Sequence, residues 1–374
     1  MQVNLRGQVS VTHDNRWSPL GVVRFSRAGW DSRLGPSDGA LTKTGGGVPP
    51  REFRPAPYYT VDMTAKLTIG TLVAAACLIP AYSQKPSPFA GRWDFNLTQG
   101  NTVRAAWLGI AEKNGALEVW YQPTGGNVYQ VQNPKVEGSK LILPISAADT
   151  KNNRPAVTWE LEATGDKISG VQKRGAANMP LAGVRAPELK RTEPKAWSAP
   201  EALFDGKSLA GWEPIGDPAN SHWSAKDGLL VNADHGANLK TTRKFQDFKV
   251  HFEANCPDHA NSGFYLRGRY EVQLEYEPLD MNPPERRIGS IYGRITPREM
   301  PRVPGTWETF DVTLVGRTVT VVRNGVTTID HREIEGITGG ALDANDAEPG
   351  PFYIQGDHTG GLKFRNLTVS VPKP

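Results

Sequence analysis

Hydrophobic and polar positions alternate along much of this chain, most informatively in NSGFYLRGRYEVQLEYE, residues 261–277. Successive side chains of a strand point to opposite faces. Phe264, Leu266, Val272 and Leu274 therefore share one face, and Tyr265, Arg267, Glu271, Gln273 and Glu275 share the other. The run predicts a β-hairpin whose polar side gathers an Arg, two Glu and a Gln. Two readings stay open: a solvated sheet face, or the floor of a polar cleft for a polyhydroxylated ligand.

The same alternation organises two longer regions. Residues 88–185 hold about eight short runs, among them GRWDFNLT, ALEVWYQ and VTWELEA, which predict a small antiparallel barrel or curved meander. Its Trp93, Trp107, Trp120 and Trp159 read as core and rim packing. Residues 201–372 add FKVHFEANC, TFDVTLVGRTVTVVRNGVTTID and LKFRNLTVSV, with a tight turn at Asn324-Gly325. No useful helical period occurs, so an all-β chain is expected, with a two-sheet sandwich as its second part. Between them APELKRTEPKAWSAP, residues 186–200, is broken by Pro187, Pro194 and Pro200 and reads as a semi-rigid linker. The two regions are expected to fold separately, with the chemistry in the second.

Charge and cysteine content narrow the class. Net charge is only +4, and no basic block with interleaved aromatics suggests a nucleic-acid partner. Residues 63–83 resemble a signal peptide: Met63, Lys66, an apolar run from Leu67 to Ile79, and small residues at Ala81 and Ser83 before Gln84. The apolar run is short for a membrane span. A periplasmic or secreted protein beginning at Gln84 is expected; acylation at Cys77 is the alternative. Residues 1–62 then precede the true start at Met63, or form a disordered extension. Cleavage leaves Cys256 alone, so no intrachain disulfide is expected.

The motifs FDGKSLAGW, NSGFYLRGRYEVQ, GSIYG, PGTWETFDVTLVGRTVTVVRNG and GPFYIQGDH, in this order over residues 201–372, resemble the 3-keto-disaccharide hydrolases. The resemblance implies a concanavalin-like jelly roll, similar to laminin-G domains, and activity on glycosides already oxidised at C3. Many relatives carry an Asp shortly after the Glu-Val-Gln, where this chain has Glu275-Tyr276-Glu277.

A C3 ketone acidifies the C2 proton, so a base removes it and the enolate expels the C1 substituent; water then adds back. The site needs a base, a donor or cation at the C3 oxygen, and an acid for the leaving group. Glu271, His358 and Glu253 are the candidate catalytic residues, with Arg267 as partner for the enolate. Gln273, Glu275, Tyr292, Gln355 and Asp357 are the other candidate substrate contacts. In FKVHFEANC, His251, Glu253 and Asn255 share a parity; near the end of the chain Tyr353, Gln355 and Asp357 do. Asp343, Asp346 and Glu348 suggest a solvated acidic loop rather than a calcium site. No cofactor is required, although a divalent metal is an option. The partner expected is a sugar or glycoside. A carbohydrate-binding protein without turnover and a conventional glycosidase with two flanking carboxylates are the competing functions.

Overall fold

A computed structural model describes residues 2–3, 9–10, 87–99, 102–145 and 156–373. By contacts the chain divides into residues 1–79 and residues 80–374. Described in the first unit is a short antiparallel ladder of Gln2–Val3 with Val9–Ser10. The signal-peptide segment 63–83 lies outside the described residues, as does nearly all of 1–62.

The second unit begins with nine described strands: β1 (Gly91–Gln99), β2 (Thr102–Lys113), β3 (Ala116–Gln122), β4 (Tyr129–Gln130), β5 (Lys135–Glu137), β6 (Lys140–Ile145), β7 (Val157–Thr164), β8 (Lys167–Arg174) and β9 (Ala177–Arg185). They form one antiparallel sheet in the order β4-β3-β2-β1-β9-β8-β7-β6-β5. Pairing of β1 with β9 curls the meander round a core and leaves it open between β4 and β5. Trp159 fills that core edge-on to Phe95 and Tyr121, at centroid distances of 5.2 and 5.0 Å. Trp93 is buried with them, whereas Trp120 is exposed.

The remaining strands are β10 (Glu201–Ala202), β11 (Trp212–Pro214), β12 (Trp223–Lys226), β13 (Leu229–Asn232), β14 (Leu239–Thr241), β15 (Phe248–Asn255), β16 (Asn261–Leu266), β17 (Tyr270–Glu275), β18 (Trp307–Val315), β19 (Thr318–Arg323), β20 (Val326–Glu333), β21 (Tyr353–Ile354) and β22 (Lys363–Ser370). They make a two-sheet sandwich. The larger sheet runs β12-β13-β22-β15-β18-β19-β20 with β10 on β22, and the smaller runs β11-β14-β21-β16-β17. Non-consecutive neighbours such as β22 and β15 mark chain crossings between the sheets, as in jelly rolls. Alternate residues of both sheets meet inside. Phe252 of β15 stacks on Phe264 of β16 at 4.2 Å and on Phe310 of β18 at 4.9 Å. Truncating such a buried Phe costs about 3–5 kcal/mol.

The linker forms no helix and runs along the sandwich, where Ser198 N–H donates to Val371 O and Arg317 N–H to Leu189 O. It is not the sole connection. Trp107 and Ala105 of β2 pack with Ile337, Ala341 and Ala344 of the sandwich. Arg294 lies over the Trp107 ring at 4.3 Å, and Arg92 pairs with Glu333 at 2.8 Å. The expectation of a solvated loop at 343–348 is corrected here. Asp343 pairs with Arg269 at 2.6 Å, and Asp346 is fully buried against Arg317 at 3.4 Å. Asn96 of β1 bonds both Ala344 N–H and Asn345. Buried Asp94 shares this interface. Loss of solvent, then the Asp346 charge, pushes its carboxyl up to about 8 against the pull of Arg317 and Arg92.

Candidate functional site

The β16–β17 hairpin pairs Gly263 with Gln273 and Tyr265 with Glu271, while Phe264, Val272 and Leu274 enter the core. Tyr265, Glu271 and Gln273 therefore face out of the smaller sheet. β21 lies on the other side of β16, with Tyr353 opposite Tyr265, and Gln355 N–H continues the ladder onto Gly263 O. This outer face is nevertheless buried. Thr338 accepts from Glu271 N–H at 3.0 Å, and the segment 338–340 crosses the face. Residue 263 is Gly because the Glu271 side chain lies directly over it; a β-carbon there would overlap the carboxyl.

Tyr265 and Tyr353 stack at 3.8 Å, and their phenols donate to Gly339 O and Gly340 O at 2.5 and 2.6 Å. The Tyr265 oxygen also lies 2.8 Å from Glu271 Oε2 and accepts from Gln355 Nε2 at 3.1 Å. A phenol has one proton, and a carbonyl only accepts. Gly339 O and Glu271 Oε2 thus compete for that one phenol proton. Burial pushes Glu271 well above the usual carboxylate range; the Tyr265 hydrogen bond opposes this, and the Asp357 charge adds to it. Hydrogen bonding holds Asp357 itself below its ordinary value: burial works upward, but His358 and Asn238 outweigh it. Its oxygens accept from Asn238 Nδ2 at 3.3 Å and contact His358 Nδ1 at 2.9 Å at the exposed rim. The environment pushes two carboxyl groups on one face in opposite directions, Glu271 up and Asp357 down.

Further polar groups line this face. Gln273 Oε1 and Gln355 Oε1 are buried without hydrogen-bond partners. Tyr292 donates its N–H to Glu271 O at 3.0 Å, and burial followed by the Glu271 charge pushes its phenol up to about 12, with Arg286 opposing. Arg286 keeps Nε and Nη1 buried and unpartnered. Beside Asp357, where Gly236 N–H donates to Gly356 O, opens a cavity of about 460 Å³ bounded by residues 215–217, Asn220, His222 and residues 235–237. Among the described residues no cluster of three or more His, Cys, Asp or Glu is placed to hold a metal.

Glu271, Gln273, Tyr292, Gln355 and Asp357 thus come together, with His358 attached through Asp357. Three expected site residues do not join them. Arg267 sits in the hairpin turn at φ 53°, where strand parity ends. Its guanidinium donates to Tyr270 Oη and Gly316 O, at 3.1 and 2.9 Å. Glu253 belongs to β15 of the larger sheet, on the outer side of the sandwich, bonded by Arg365 at 2.7 Å and Asn366 at 2.6 Å. His251 shares that outer side and contacts Asp311 at 2.7 Å. Glu275 is fully buried, with its oxygens taken by Arg302, Ile288 N–H and Asn282 Nδ2. Its neighbour Tyr276 turns into the core onto the Glu308–Arg323 pair. Arg286 and Thr338 were not legible as site residues: one follows a Pro pair, the other lies in a Gly-rich loop distant in sequence.

Residues 199–370 match the family model of the 3-keto-alpha-glucoside-1,2-lyase-like domain, so the resemblance carried by the motifs holds over the sandwich. The sandwich is thereby placed with carbohydrate-active domains. Solved structures similar to the chain include two candidate glycosyl hydrolases from Parabacteroides distasonis. One is 28% identical and covers 49% of this chain and 93% of its own, with a TM-score of 0.39. The other is 18% identical over 46% and 92%, with a TM-score of 0.38. A carbohydrate-binding module from Bacillus subtilis is 13% identical over 42% and 94%, with a TM-score of 0.28. No curated protein matches the chain.

Proposed function

We propose that the protein is an exported enzyme that cleaves 3-keto-glycosides by elimination and hydration at the Glu271 face. The observation that carries this reading is the pairing of Glu271, bonded to Tyr265 and raised by burial, with Asp357, which is lowered and contacts His358. Asp357 favours the tautomer with a proton on His358 Nδ1, which makes Nε2 the basic nitrogen. In the elimination, His358 takes the C2 proton, and the electrons pass through the C3 enolate to expel the C1 oxygen. Glu271 protonates that oxygen as it leaves. Water then adds at C1, giving its proton to Glu271, while His358 returns a proton to C2. Both side chains regain their starting states. Arg286 supplies positive charge for the enolate, and the amides of Gln273 and Gln355 receive sugar hydroxyls.

Incubating the protein with a 3-keto-glucoside tests this: aglycone release supports it, and inert 3-keto substrate under every metal condition refutes it. A conventional glycosidase is the second reading, favoured by the same raised and lowered carboxyl pair; it requires turnover of unoxidised glycosides. Export rests on the signal-like residues 63–83, and a mature terminus at Gln84 by mass spectrometry is its test.

A further inference from the structure

The β3–β4 connection of the first sheet, residues 123–128, reaches the Glu271 face. Gly340 N–H donates to Thr124 O at 3.0 Å, and Gly339 lies so close to Gly126 that a β-carbon at 339 would overlap its backbone. Gly339 O and Gly340 O are the acceptors of the Tyr265 and Tyr353 phenols. A single layer of backbone thus separates residues 124–126 from the group that holds Glu271. On the neighbouring flank Asn127 lies against Gly293, next to Tyr292, whose own N–H bonds Glu271 O. Gln122 braces the loop from within, its Nε2 donating to Pro123 O and Gly126 O, both at 2.9 Å.

One atom of this loop is unsatisfied. Asn127 Oδ1 is buried with no hydrogen-bond partner, as are Gln273 Oε1 and Gln355 Oε1 across the face. Buried polar atoms are nearly always paired, so an orphan beside a candidate site calls for a missing partner. An amide oxygen calls for a donor, and a sugar hydroxyl is one.

We propose that the substrate site spans both β regions, with Asn127 of the first sheet as a specificity-determining residue that accepts a hydrogen bond from a sugar hydroxyl on the Tyr292 flank of Glu271. The choice of ligand rests on the proposed function; the two-region construction rests on the contacts above. The first sheet is then one wall of the binding site.

The experiment uses the full chain and its Asn127→Ala and Asn127→Asp variants. Calorimetry with 3-keto-glucose gives Kd, a 3-keto-glucoside gives KM and kcat, and thermal melting gives Tm. Loss of one neutral hydrogen bond predicts a roughly three- to tenfold rise in Kd and KM for Asn127→Ala, with kcat and Tm near wild type. Asn127→Asp keeps an acceptor oxygen in the same place and recovers most of the loss. A merely structural role would instead lower Tm or kcat alike in both variants, and would overturn the proposal. So would an unchanged Kd and KM in Asn127→Ala. If wild type binds 3-keto-glucose yet releases no aglycone, the catalytic reading fails, and the Kd ratio still decides the role of Asn127. If wild type binds no sugar, both are overturned.

Discussion

Tyr265 and Glu271, opposite one another across the β16–β17 hairpin, meet at 2.8 Å, where the phenol also reaches Gly339 O at 2.5 Å. Burial raises the Glu271 carboxyl, which favours its acid form at this contact. Glu271→Gln is expected to keep this contact, because its amide N–H can donate to the phenol oxygen. The variant should retain the wild-type Tm while kcat falls by roughly 10²–10⁴-fold, the range for loss of a general acid. Melting and steady-state kinetics on the same preparation check both halves.

The pH profile follows from the signs of the shifts. Glu271 is raised, so its acid form persists to unusually high pH and is lost as pH rises through the raised value. Activity should therefore carry an alkaline limb belonging to Glu271, absent in Glu271→Gln. Stability has the same sign: a raised carboxyl stabilises the fold fully below its unfolded pKa of about 4.3, and that contribution disappears with rising pH. Urea denaturation of the two proteins across this range should show wild type losing ground to the variant as pH increases.

A parallel effect is expected at the contact between the two β regions. Asp94 is pushed up to about 8 from 3.8, so its contribution is complete below about pH 4 and lost as pH rises through 8. Asp94→Asn should flatten this part of the stability curve. Denaturation midpoints at pH 5 and pH 8.5 measure it; equal slopes in both proteins would contradict the burial of an ionisable Asp94.

Arg302→Ala leaves Glu275 fully buried without its cation. Breaking a buried pair by removing one partner typically costs about 3–5 kcal/mol. Denaturation should show a loss of that size, with kcat per folded molecule unchanged, because Glu275 has no free oxygen to offer a substrate. Glu253→Gln should leave KM and kcat unchanged, since Glu253 lies on the outer side of the larger sheet.

Much of the fold was legible because alternation fixes which side of a strand is buried. Phe264, Val272 and Leu274 enter the core as their parity requires. Parity fails where a strand stops: Arg267 and Gly268 take φ of 53° and 70°, and the Arg267 side chain leaves the face its spacing assigned. Nor does parity say which of two sheets a strand joins. Glu253 has the outward parity expected, yet β15 belongs to the sheet opposite β17. The role of Tyr265 was hidden for another reason. Alternation puts it on the polar face without giving it a role, and only the meeting of Tyr353, Gly339 and Gln355 makes its phenol the support of Glu271. That meeting joins residues about 70 to 90 positions apart, beyond any local pattern.

The most direct test of the central claim is deuterium at C2. Turnover of a 3-keto-glucoside in D2O, followed by NMR of the released sugar, distinguishes elimination and hydration from direct displacement at C1. The account predicts aglycone release with deuterium incorporated at C2, both strongly reduced in Glu271→Gln. Release with protium fully retained at C2, or cleavage of unoxidised glycosides at a comparable rate, would contradict it.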